Sequence, residues 1–519
     1  MQLRTRAAVA ALLIAASSSA AAQAPIPAPA GGSDDWTIPA TPAPAPFTAR
    51  EFAARRALLT ARMERGVLVV LGSDEPEADY LPFGQNAPFR YLTGMVEPGA
   101  ALVIDKRGGT PREMLFVLPR DPSREVWEGP RLGAERAAAL TGMAARERDG
   151  MSAALDSMLA GGGTLYMVSP LGGDGSSSPW QRPDQQFSTA LAARHAGTRV
   201  QYLDAQLLQI RASKSPAELD HLRRSIYITL LAQREAMRAV EPGMNEFEIQ
   251  ALIEATFRRN GAERPSFGTI VGSGPNSTAL HYRAADRFMN AGEMLVMDIG
   301  SSYRGYAADV TRTVPVSGRF SPEQRAVYEI VLAAQKAAEA QARPGATLGA
   351  LSQTAARTVA DGLARLGLIE SASATYDCAR RGGVAECPQW TLFYMHGLGH
   401  GIGLDVHDPD PAYTGAFREG SAFTIEPGIY VRGDVLEYIP DTPRNRALRT
   451  RLAGAVARYA SIGVRIEDDY IFIPGGAERV SAGAPREIAE IEAMMARPSG
   501  WNRERRPEVV EWYRGTGSR

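Results

Sequence analysis

The sequence is poor in cysteine and histidine and carries almost no net charge. Its 57 basic and 58 acidic residues leave a formal charge of −1 at pH 7, which gives no electrostatic reason to expect nucleic acid or an anionic membrane as a partner. The only cysteines, Cys378 and Cys387, form either one disulfide or two unrelated thiols. Of the six histidines, three lie within residues 396–407. A chain of 519 residues with 45% hydrophobic content exceeds a single globular core, so we expect two domains.

The first 46 residues are not expected to belong to the fold. Two arginines precede the apolar run Ala7–Ala16, and small residues follow up to Ala22, which is the pattern of a secretory signal peptide over residues 1–22. The apolar run is too short to span a bilayer as an uncleaved anchor. Residues 23–46 are rich in proline and alanine and are expected to form a disordered spacer. We therefore expect a periplasmic or secreted protein that has no membrane attachment after cleavage, and export favours the disulfide.

Residues 47–207 and 208–488 are predicted to form two domains. The first has a mixed helix and strand pattern but no cluster of titratable residues, so it is not expected to hold the chemistry. In the second, the order helix, Pro-Gly, helix occurs twice, with Pro-Gly at 242–243 and 344–345. This weak internal duplication predicts two similar halves with a site between them. Capping residues mark four helix starts: Thr48, Ser215, Asn245 and Ser321.

The stretch 293–316 is predicted to form a β-hairpin at the centre of the second domain. Asp298 lies inside its first apolar run, where an unpaired carboxylate would be costly to bury, and Asp309 lies in the second run. With the turn centred between Tyr303 and Arg304, the two aspartates face each other with Cβ atoms about 5 Å apart. The alternative is a turn with two solvated aspartates. The apolar setting of Asp298 favours a metal, because the two carboxylates would otherwise repel each other.

Further histidines and carboxylates lie in glycine-rich loops or at the ends of apolar strands: His281, His396, His400, His407, Glu426 and Glu467. Each is a weak signal alone, but together the four carboxylates and one imidazole form a hard, oxygen-rich set. Oxygen ligands of this kind favour Mn²⁺ or a similar divalent ion, and the set is unlike a zinc site built from thiolates. Because this many carboxylates over-neutralise one divalent ion, we expect two bridged ions about 3.5–4 Å apart.

These motifs, in this order, resemble the pita-bread metallopeptidases, and within them the bacterial Xaa-Pro aminopeptidases (aminopeptidase P). The resemblance covers roughly residues 47–473. In the second domain it rests on D-x-G at 298–300, D-V-T-R-T at 309–313, H-G-x-x-H-x-x-G at 396–403, E-P-G at 426–428 and R-I-E-D at 465–468. In the first domain it rests on residues 85–94 and 125–133. It implies an α/β (α+β) protein with a smaller N-terminal α/β domain before a pseudo-twofold pita-bread catalytic domain.

The resemblance also assigns roles to the site residues. Asp298 would bind one metal ion, Asp309 and Glu467 would bridge both ions, and His400 and Glu426 would complete the second. His281 and His407 would hold the substrate and stabilise the developing oxyanion. His396 would lie near a proline pocket, and Arg465 would support the ligands from behind.

The implied function is a metal-dependent aminopeptidase that releases the N-terminal residue from peptides with proline second, by a hydroxide activated by two metal ions. Glu426 would take up and relay the proton. One alternative is an Xaa-Pro dipeptidase (prolidase), which shares the ligands but closes the site around the proline carboxylate with a cation. Another is a non-catalytic binding protein on the same fold, which the complete ligand set argues against. The first-domain motifs favour the aminopeptidase.

Three features depart from the resemblance or extend it. Residues 434–460 and the cysteine-bearing segment before Met395 look like insertions that reshape the substrate entrance, and Arg444–Arg451 could supply a closing cation. The Arg-rich tail 489–519 has no assigned role. Trp127 matches a tryptophan that reaches a neighbouring subunit's active site in relatives, so we expect a homo-oligomer.

Overall fold

The computed structural model of the protein describes residues 38, 40–76, 82–170, 182–380, 383–409 and 415–501. The predicted signal peptide, residues 23–37 of the spacer and the tail beyond residue 501 lie outside this part of the chain. Apart from residue 38, the described residues belong to one unit that begins at Ala40. None of the helices in these ranges is long and apolar enough to cross a membrane.

The N-terminal part of this unit is a six-stranded mixed sheet between two helical layers. The strands are β1 (Val67–Leu71), β2 (Ala101–Asp105), β3 (Arg112–Val117), β4 (Ala144–Glu147), β5 (Gly163–Met167) and β6 (Thr198–Tyr202), in the order β4-β3-β2-β1-β5-β6. The helices are α1 (Ala49–Thr60), α2 (Ala87–Thr93), α3 (Pro122–Glu128), α4 (Gly133–Thr141), α5 (Met151–Leu159), α6 (Pro183–Arg194) and α7 (Asp204–Arg211). Alternate residues of β1 enter different cores, Leu68 one and Val69 the other, because both faces of the sheet are covered.

The C-terminal part repeats one arrangement, a helix pair followed by antiparallel strands. Its helices are α8 (Pro216–Ala239), α9 (Glu246–Arg259), α10 (Pro322–Glu339), α11 (Leu348–Leu366), α12 (Pro443–Tyr459) and α13 (Ile488–Met495). Its strands are β7 (Arg264–Pro265), β8 (Ile270–Ser273), β9 (Met294–Ile299), β10 (Ser301–Tyr303), β11 (Tyr306–Ala307), β12 (Val310–Pro315), β13 (Thr375–Arg380), β14 (Gly383–Pro388), β15 (Ala422–Ile425), β16 (Gly428–Val431), β17 (Ile462–Arg465), β18 (Asp468–Ile473) and β19 (Gly476–Arg479). The sheets are β8-β9-β12, β7-β10-β11, β15-β18-β19, β16-β17 and β13-β14, and one apolar core joins both halves.

The four predicted helix starts are confirmed. Helices α1, α8, α9 and α10 each begin with a capping box. The side chain of the capping residue accepts a hydrogen bond from a backbone amide of the first turn, and a Glu or Gln side chain in that turn accepts one from the backbone amide of the capping residue. In α8, Ser215 accepts from the Glu218 amide and the Glu218 carboxylate accepts from the Ser215 amide. These local signals are reliable because both hydrogen bonds of a capping box join residues within a stretch of four.

The predicted register of the central hairpin is wrong. Tyr303 pairs with Tyr306, so the two turn residues are Arg304 and Gly305, at φ values of +51° and +87°. Two positive φ angles are typical of the tight turns that match strand twist, and glycine favours the second position. The turn therefore lies one residue later than predicted, and Thr311, not Asp309, faces Asp298. The residue opposite Asp298 is thus two positions from the predicted one. Because side chains alternate between the two faces of a strand, both aspartates still project from the same face of the hairpin.

The two segments that looked inserted pack against each other. Cys378 and Cys387 are joined across the β13-β14 hairpin, with their Cα atoms 5.8 Å apart. Helix α12 fixes this hairpin from the side: Thr442 donates to the Asp377 carboxylate at 2.6 Å, and Asn445 donates to the Asp377 carbonyl at 2.8 Å. The disulfide hairpin and α12 therefore form one added layer.

Three predicted boundaries cut through packed structure, and the one between residues 207 and 208 falls inside helix α7, which continues to Arg211. Near the end of the predicted spacer, the Thr41 carbonyl accepts a bond from Arg224, and Phe47 stacks on His221 with ring centroids 4.3 Å apart. Helix α13 crosses the predicted start of the tail and buries Ile491 in the core of the C-terminal part.

Candidate metal centre

Three of the four predicted carboxylate ligands lie where a strand ladder is interrupted. Asp309 falls between β11 and β12, Glu426 between β15 and β16, and Glu467 between β17 and β18. At each interruption the backbone amide bonds to another segment of the site. The Asp309 amide donates to the Asp469 carboxylate at 3.1 Å, the Glu426 amide to the Leu398 carbonyl at 2.8 Å, and the Glu467 amide to the Thr311 carbonyl at 3.1 Å.

The first motif of the hairpin needs glycine for a steric reason. Gly300 lies between β9 and β10, directly after the strand that carries Asp298. A Cβ atom added there would lie 1.8 Å from the Ala308 carbonyl oxygen and 2.2 Å from Ser266 Oγ. Only glycine therefore allows the backbone carrying Asp309 to approach this closely.

The structure brings the predicted ligands together around the His400 ring. His400 Nε2 lies 3.4 Å from Glu426 Oε1, 3.5 Å from Asp309 Oδ2 and 4.0 Å from Glu467 Oε1. Asp298 borders the same cluster, since its charge raises the pKa of Asp309, Glu426 and Glu467. Ligand atoms of Asp309, His400 and Glu467 all lie within 4.8 Å of one another.

Burial and mutual repulsion make this cluster costly without a cation. Burial, followed by the neighbouring carboxylates, raises the pKa of Asp309 and of Glu467 well above the ordinary range. Burial chiefly raises the pKa of Glu426 to about 8, although Arg465 opposes the shift. Among the described residues, Asp298 Oδ1, Asp309 Oδ1 and Glu467 Oε1 are buried oxygens without a hydrogen-bond partner. Buried acceptors are almost always satisfied, so three such oxygens fit a divalent cation as their partner.

His400 has the protonation state that a ligand requires. Burial, followed by the charge of His407, lowers the pKa of His400 to about 4, so the ring is neutral at physiological pH. Its Nδ1 lies 3.0 Å from the Gly401 carbonyl, an acceptor that assigns the proton to Nδ1. The lone pair on Nε2 therefore faces the carboxylates, in the orientation that metal-binding histidines have.

A hydrogen-bonded chain supports Asp298 from behind and includes a residue that the sequence analysis missed. Arg465 donates to Asp298 Oδ2 and, at 2.8 Å, to the hydroxyl of the buried Tyr430. The Tyr430 hydroxyl lies 2.9 Å from His396 Nε2, and His396 Nδ1 lies 2.8 Å from the Gly397 carbonyl. Tyr430 lies in the fully buried strand β16, where its hydroxyl needs a partner; that requirement is the signal that could have found it.

The two remaining histidines lie at the edge of the cluster. The His407 ring centroid is 4.2 Å from that of His400, and the charge of His281 contributes to lowering the pKa of His396. Both residues are exposed, unlike Asp298, Asp309 and Glu467, which are buried. All nine predicted site residues therefore border one region of the C-terminal part.

The N-terminal domain supports the His407 loop, which the sequence analysis did not predict. Arg211, the last residue of α7, binds the carboxylates of Asp405 and Asp408, and Lys214 lies 2.9 Å from Asp408 Oδ2. Arg211, Lys214 and Asp408 are all buried. A buried ion-pair cluster thus joins the end of the first domain to the segment that carries His407.

Two families match the chain: metallopeptidase family M24 over residues 220–473, and the aminopeptidase P N-terminal domain over residues 52–166. The Xaa-Pro aminopeptidase of Haemophilus influenzae is 33% identical over 461 residues, covering 86% of this chain and 97% of the relative. The Xaa-Pro aminopeptidase of Escherichia coli is 33% identical over 468 residues, with the same coverage. The structure of E. coli aminopeptidase P with the inhibitor Pro-Leu is similar at a TM-score of 0.72 and 30% identity, covering 87% of this chain and 99% of that one.

Proposed function

The chain belongs to metallopeptidase family M24, among its Xaa-Pro aminopeptidases, and from this premise we propose that it releases the N-terminal residue from peptides whose second residue is proline. The predicted family and the predicted fold, an N-terminal α/β domain before a pita-bread catalytic domain, are confirmed by these matches. The observation that carries the proposal is the convergence of three carboxylates on the His400 ring, with buried oxygens that have no other partner.

The protein depends on divalent metal ions, and we propose two Mn²⁺ ions held by five side chains: Asp298, Asp309, His400, Glu426 and Glu467. The donor set contains oxygen and imidazole ligands only, which suits Mn²⁺. Divalent ions in such a site act as Lewis acids and lower the pKa of bound water towards neutrality. Arg465 orients Asp298 by binding one of its oxygens and leaving the other unpartnered.

The residues around the cluster provide the remaining chemistry. Glu426 is the candidate to take up the proton of the attacking water on a carboxylate oxygen and to pass it to the leaving nitrogen. The Xaa-Pro bond is a tertiary amide without an N–H group, so this nitrogen must be protonated as it leaves. His281 and His407 are positioned at the edge of the cluster to bind the substrate and donate to its carbonyl oxygen.

Aromatic side chains beside His396 supply a wall for the proline ring. Tyr394 meets His396 edge to face, with ring centroids 5.0 Å apart, and Trp390 lies 6.0 Å from Tyr394. His396 also lies next to Tyr430, with ring centroids 5.5 Å apart, so it joins these rings to the hydrogen-bonded chain. An aromatic wall fits an apolar pyrrolidine ring, and the E. coli relative's bound inhibitor begins with proline.

The arginines of the added layer are poorly suited to act as the closing cation of a dipeptidase, because they already pair with carboxylates. Arg444 binds Glu386 at 2.9 Å, Arg449 binds Asp441 at 2.8 Å, and Arg451 pairs with Glu370. A dipeptidase needs a positioned, unpaired cation for the proline carboxylate, because a longer peptide would leave that cation without a partner. The ion pairs within the added layer therefore favour the aminopeptidase.

Peptide hydrolysis tests the proposal. After chelation and reloading with Mn²⁺, we expect cleavage of Xaa-Pro-Yaa-Zaa with much higher kcat/KM than the matched peptide Xaa-Ala-Yaa-Zaa, and little cleavage without metal. Cleavage confined to the dipeptide Xaa-Pro would identify a prolidase instead. Absence of Mn²⁺-dependent cleavage of either peptide would reject the peptidase assignment.

We further propose that the protein is exported and forms homo-oligomers. The disulfide between Cys378 and Cys387 is consistent with an oxidising compartment. Trp127 is 87% exposed and Val126 80% exposed on α3, a pair of apolar side chains suited to contact with a second copy. Amino-terminal sequencing of exported material should find a start near Gln23, and retention of Met1 would reject export by signal cleavage.

A further inference from the structure

Glu246, the first residue of α9, is fully buried and accepts hydrogen bonds on both carboxylate oxygens. Oε1 accepts from the Ser273 amide at 2.6 Å, the Ser273 hydroxyl at 2.7 Å and the Asn276 side chain at 3.3 Å. Oε2 accepts from the Tyr282 hydroxyl at 2.8 Å and the Arg287 amide at 3.1 Å. Burial raises the pKa of Glu246, and the Ser273, Tyr282 and Arg287 donors oppose that shift.

These donors lie on either side of His281 in the sequence. The groups bound to Oε1 precede His281, and the groups bound to Oε2 follow it, so a single carboxylate ties the two sides of the loop together. The backbone adds a further link, because the Glu246 amide donates to the Arg287 carbonyl at 3.0 Å. His281 itself is exposed and lies next to Tyr282.

The loop also contains a strained residue. Ala285 is buried and has φ +44°, in the left-handed region that residues with a Cβ atom disfavour. It lies between Tyr282 and Arg287, the two residues bound to Oε2. A strained loop persists when its surroundings fix it, and the Glu246 carboxylate is placed to do so.

We propose that Glu246 is a positioning residue that sets the His281 side chain at the substrate's edge of the metal centre. The inference rests on the proposed function, in which His281 contacts substrate. It requires a carboxylate, because every group around Glu246 donates. A glutamine would turn its own NH₂ group towards donors on one side of the loop and leave that side without an acceptor.

A double-mutant cycle tests this role. Glu246→Gln should lower kcat/KM about 10- to 100-fold, the range found when groups that orient the side chains of a metal site from outside are removed. In the His281→Ala background, Glu246→Gln should have little further effect on kcat/KM. Glu246 acts on the substrate only through the His281 side chain, and that side chain is already absent. Glu218→Gln is the matched control, since Glu218 is also buried in the first turn of a helix but bonds to Ser215 and Tyr306, outside the His281 loop. Its effect should be the same with and without His281.

Equal losses from Glu246→Gln in both backgrounds would overturn the inference. If Glu246→Gln does not fold, Tyr282→Phe enters the same cycle; it removes the 2.8 Å bond to Oε2 together with the bonds of the hydroxyl to Asp286 at 3.1 and 3.4 Å. Hydrogen exchange gives a readout independent of activity: amides of residues 274–286 should exchange faster in Glu246→Gln but not in Glu218→Gln. Unchanged exchange would overturn the inference, whereas a wild-type protein inactive on every proline peptide would reject the proposed function alone.

Discussion

Removal of the metal should make the fold progressively less stable as the pH rises from 6.5 to 8. In the metal-free cluster, burial chiefly raises the pKa of Glu426 from 4.5 to about 8. The folded state therefore keeps a proton that the unfolded state has lost, and stability falls with rising pH until the folded pKa is passed. The pKa values of Asp309 and Glu467 move in the same direction.

The size of the effect follows from the two protonation equilibria. Between pH 6.5 and 8, Glu426 alone should lower the free energy of unfolding by roughly 1.5 kcal/mol, at 1.36 kcal/mol for each full pH unit of differential protonation. The pH window begins at 6.5 because two histidines have the opposite effect on stability below that value. His396 and His400 have pKa values lowered from 6.5 to about 4, so below pH 6.5 they make stability rise with pH and oppose the carboxylates.

Urea unfolding of chelated and Mn²⁺-loaded protein at several pH values measures the effect. The urea midpoint of the metal-free protein should fall across the window, and the stabilisation gained on adding Mn²⁺ should grow, because the cation replaces the protons that the carboxylates hold. Metal-free Glu426→Gln is the control, since it lacks the titrating group and should lose about 1.5 kcal/mol of the pH dependence. A metal-free midpoint that stays constant or rises from pH 6.5 to 8 would refute the reasoning.

Three further outcomes are expected. Asp309→Asn should reduce kcat/KM far more than His195→Ala, because a ligand shared by two ions serves both, whereas His195 pairs with Asp156 in the N-terminal domain; equal effects in a peptide assay would contradict the ligand assignment. Replacing both Cys378 and Cys387 by serine should cost about 2–3 kcal/mol in the chain-entropy account of a short loop, and an unchanged urea midpoint would show that α12 alone fixes the hairpin. Light scattering should give an oligomer that Trp127→Ala dissociates; a monomeric wild type with unchanged Trp127→Ala activity would rule out the contact.

The clustering of the proposed ligands could be predicted from sequence because of where they lie in the strand pattern. Asp298 is surrounded by apolar residues in a strand, and Glu426 and Glu467 end apolar runs, so burial of a charge is implied at each position. The register of the hairpin could not be predicted as securely. The turn sequence Tyr303-Arg304-Gly305 allows two centres, and the preference for glycine at the second turn position decides between them.

Long-range polar contacts were beyond the reach of local patterns. Arg211 and Asp408 are 197 residues apart, and neither lies in a motif that indicates the other. In the sequence, Glu246 is recognisable only as the residue after the helix cap Asn245. Its hydrogen-bond donors lie up to 41 residues away, where no local pattern points to them. The predicted first domain ends at residue 207 and has no cluster of titratable residues, but α7 continues past this boundary to Arg211, which binds the two aspartates beside His407.

The backbone bonds at the strand interruptions divide the ligands into two reciprocal pairs. The Asp309 amide bonds to Asp469, two residues after Glu467, while the Glu467 amide bonds to Thr311, two residues after Asp309. Thr311 Oγ1 also donates to Glu467 Oε2 at 2.6 Å.

In the same way, the Glu426 amide bonds to Leu398, two residues before His400, and the His400 amide bonds to Thr424, two residues before Glu426. The first pair, Asp309 and Glu467, contains the proposed bridging ligands, and the second, His400 and Glu426, the remaining ligands of one ion. Because the backbone amide of each ligand donates to the segment that carries its partner, twice to a carbonyl and twice to a side-chain oxygen, these hydrogen bonds fix the distance within a pair. This arrangement suits a cation that needs a short, constant separation between its ligands, whereas three independently placed carboxylates would move apart under their own repulsion.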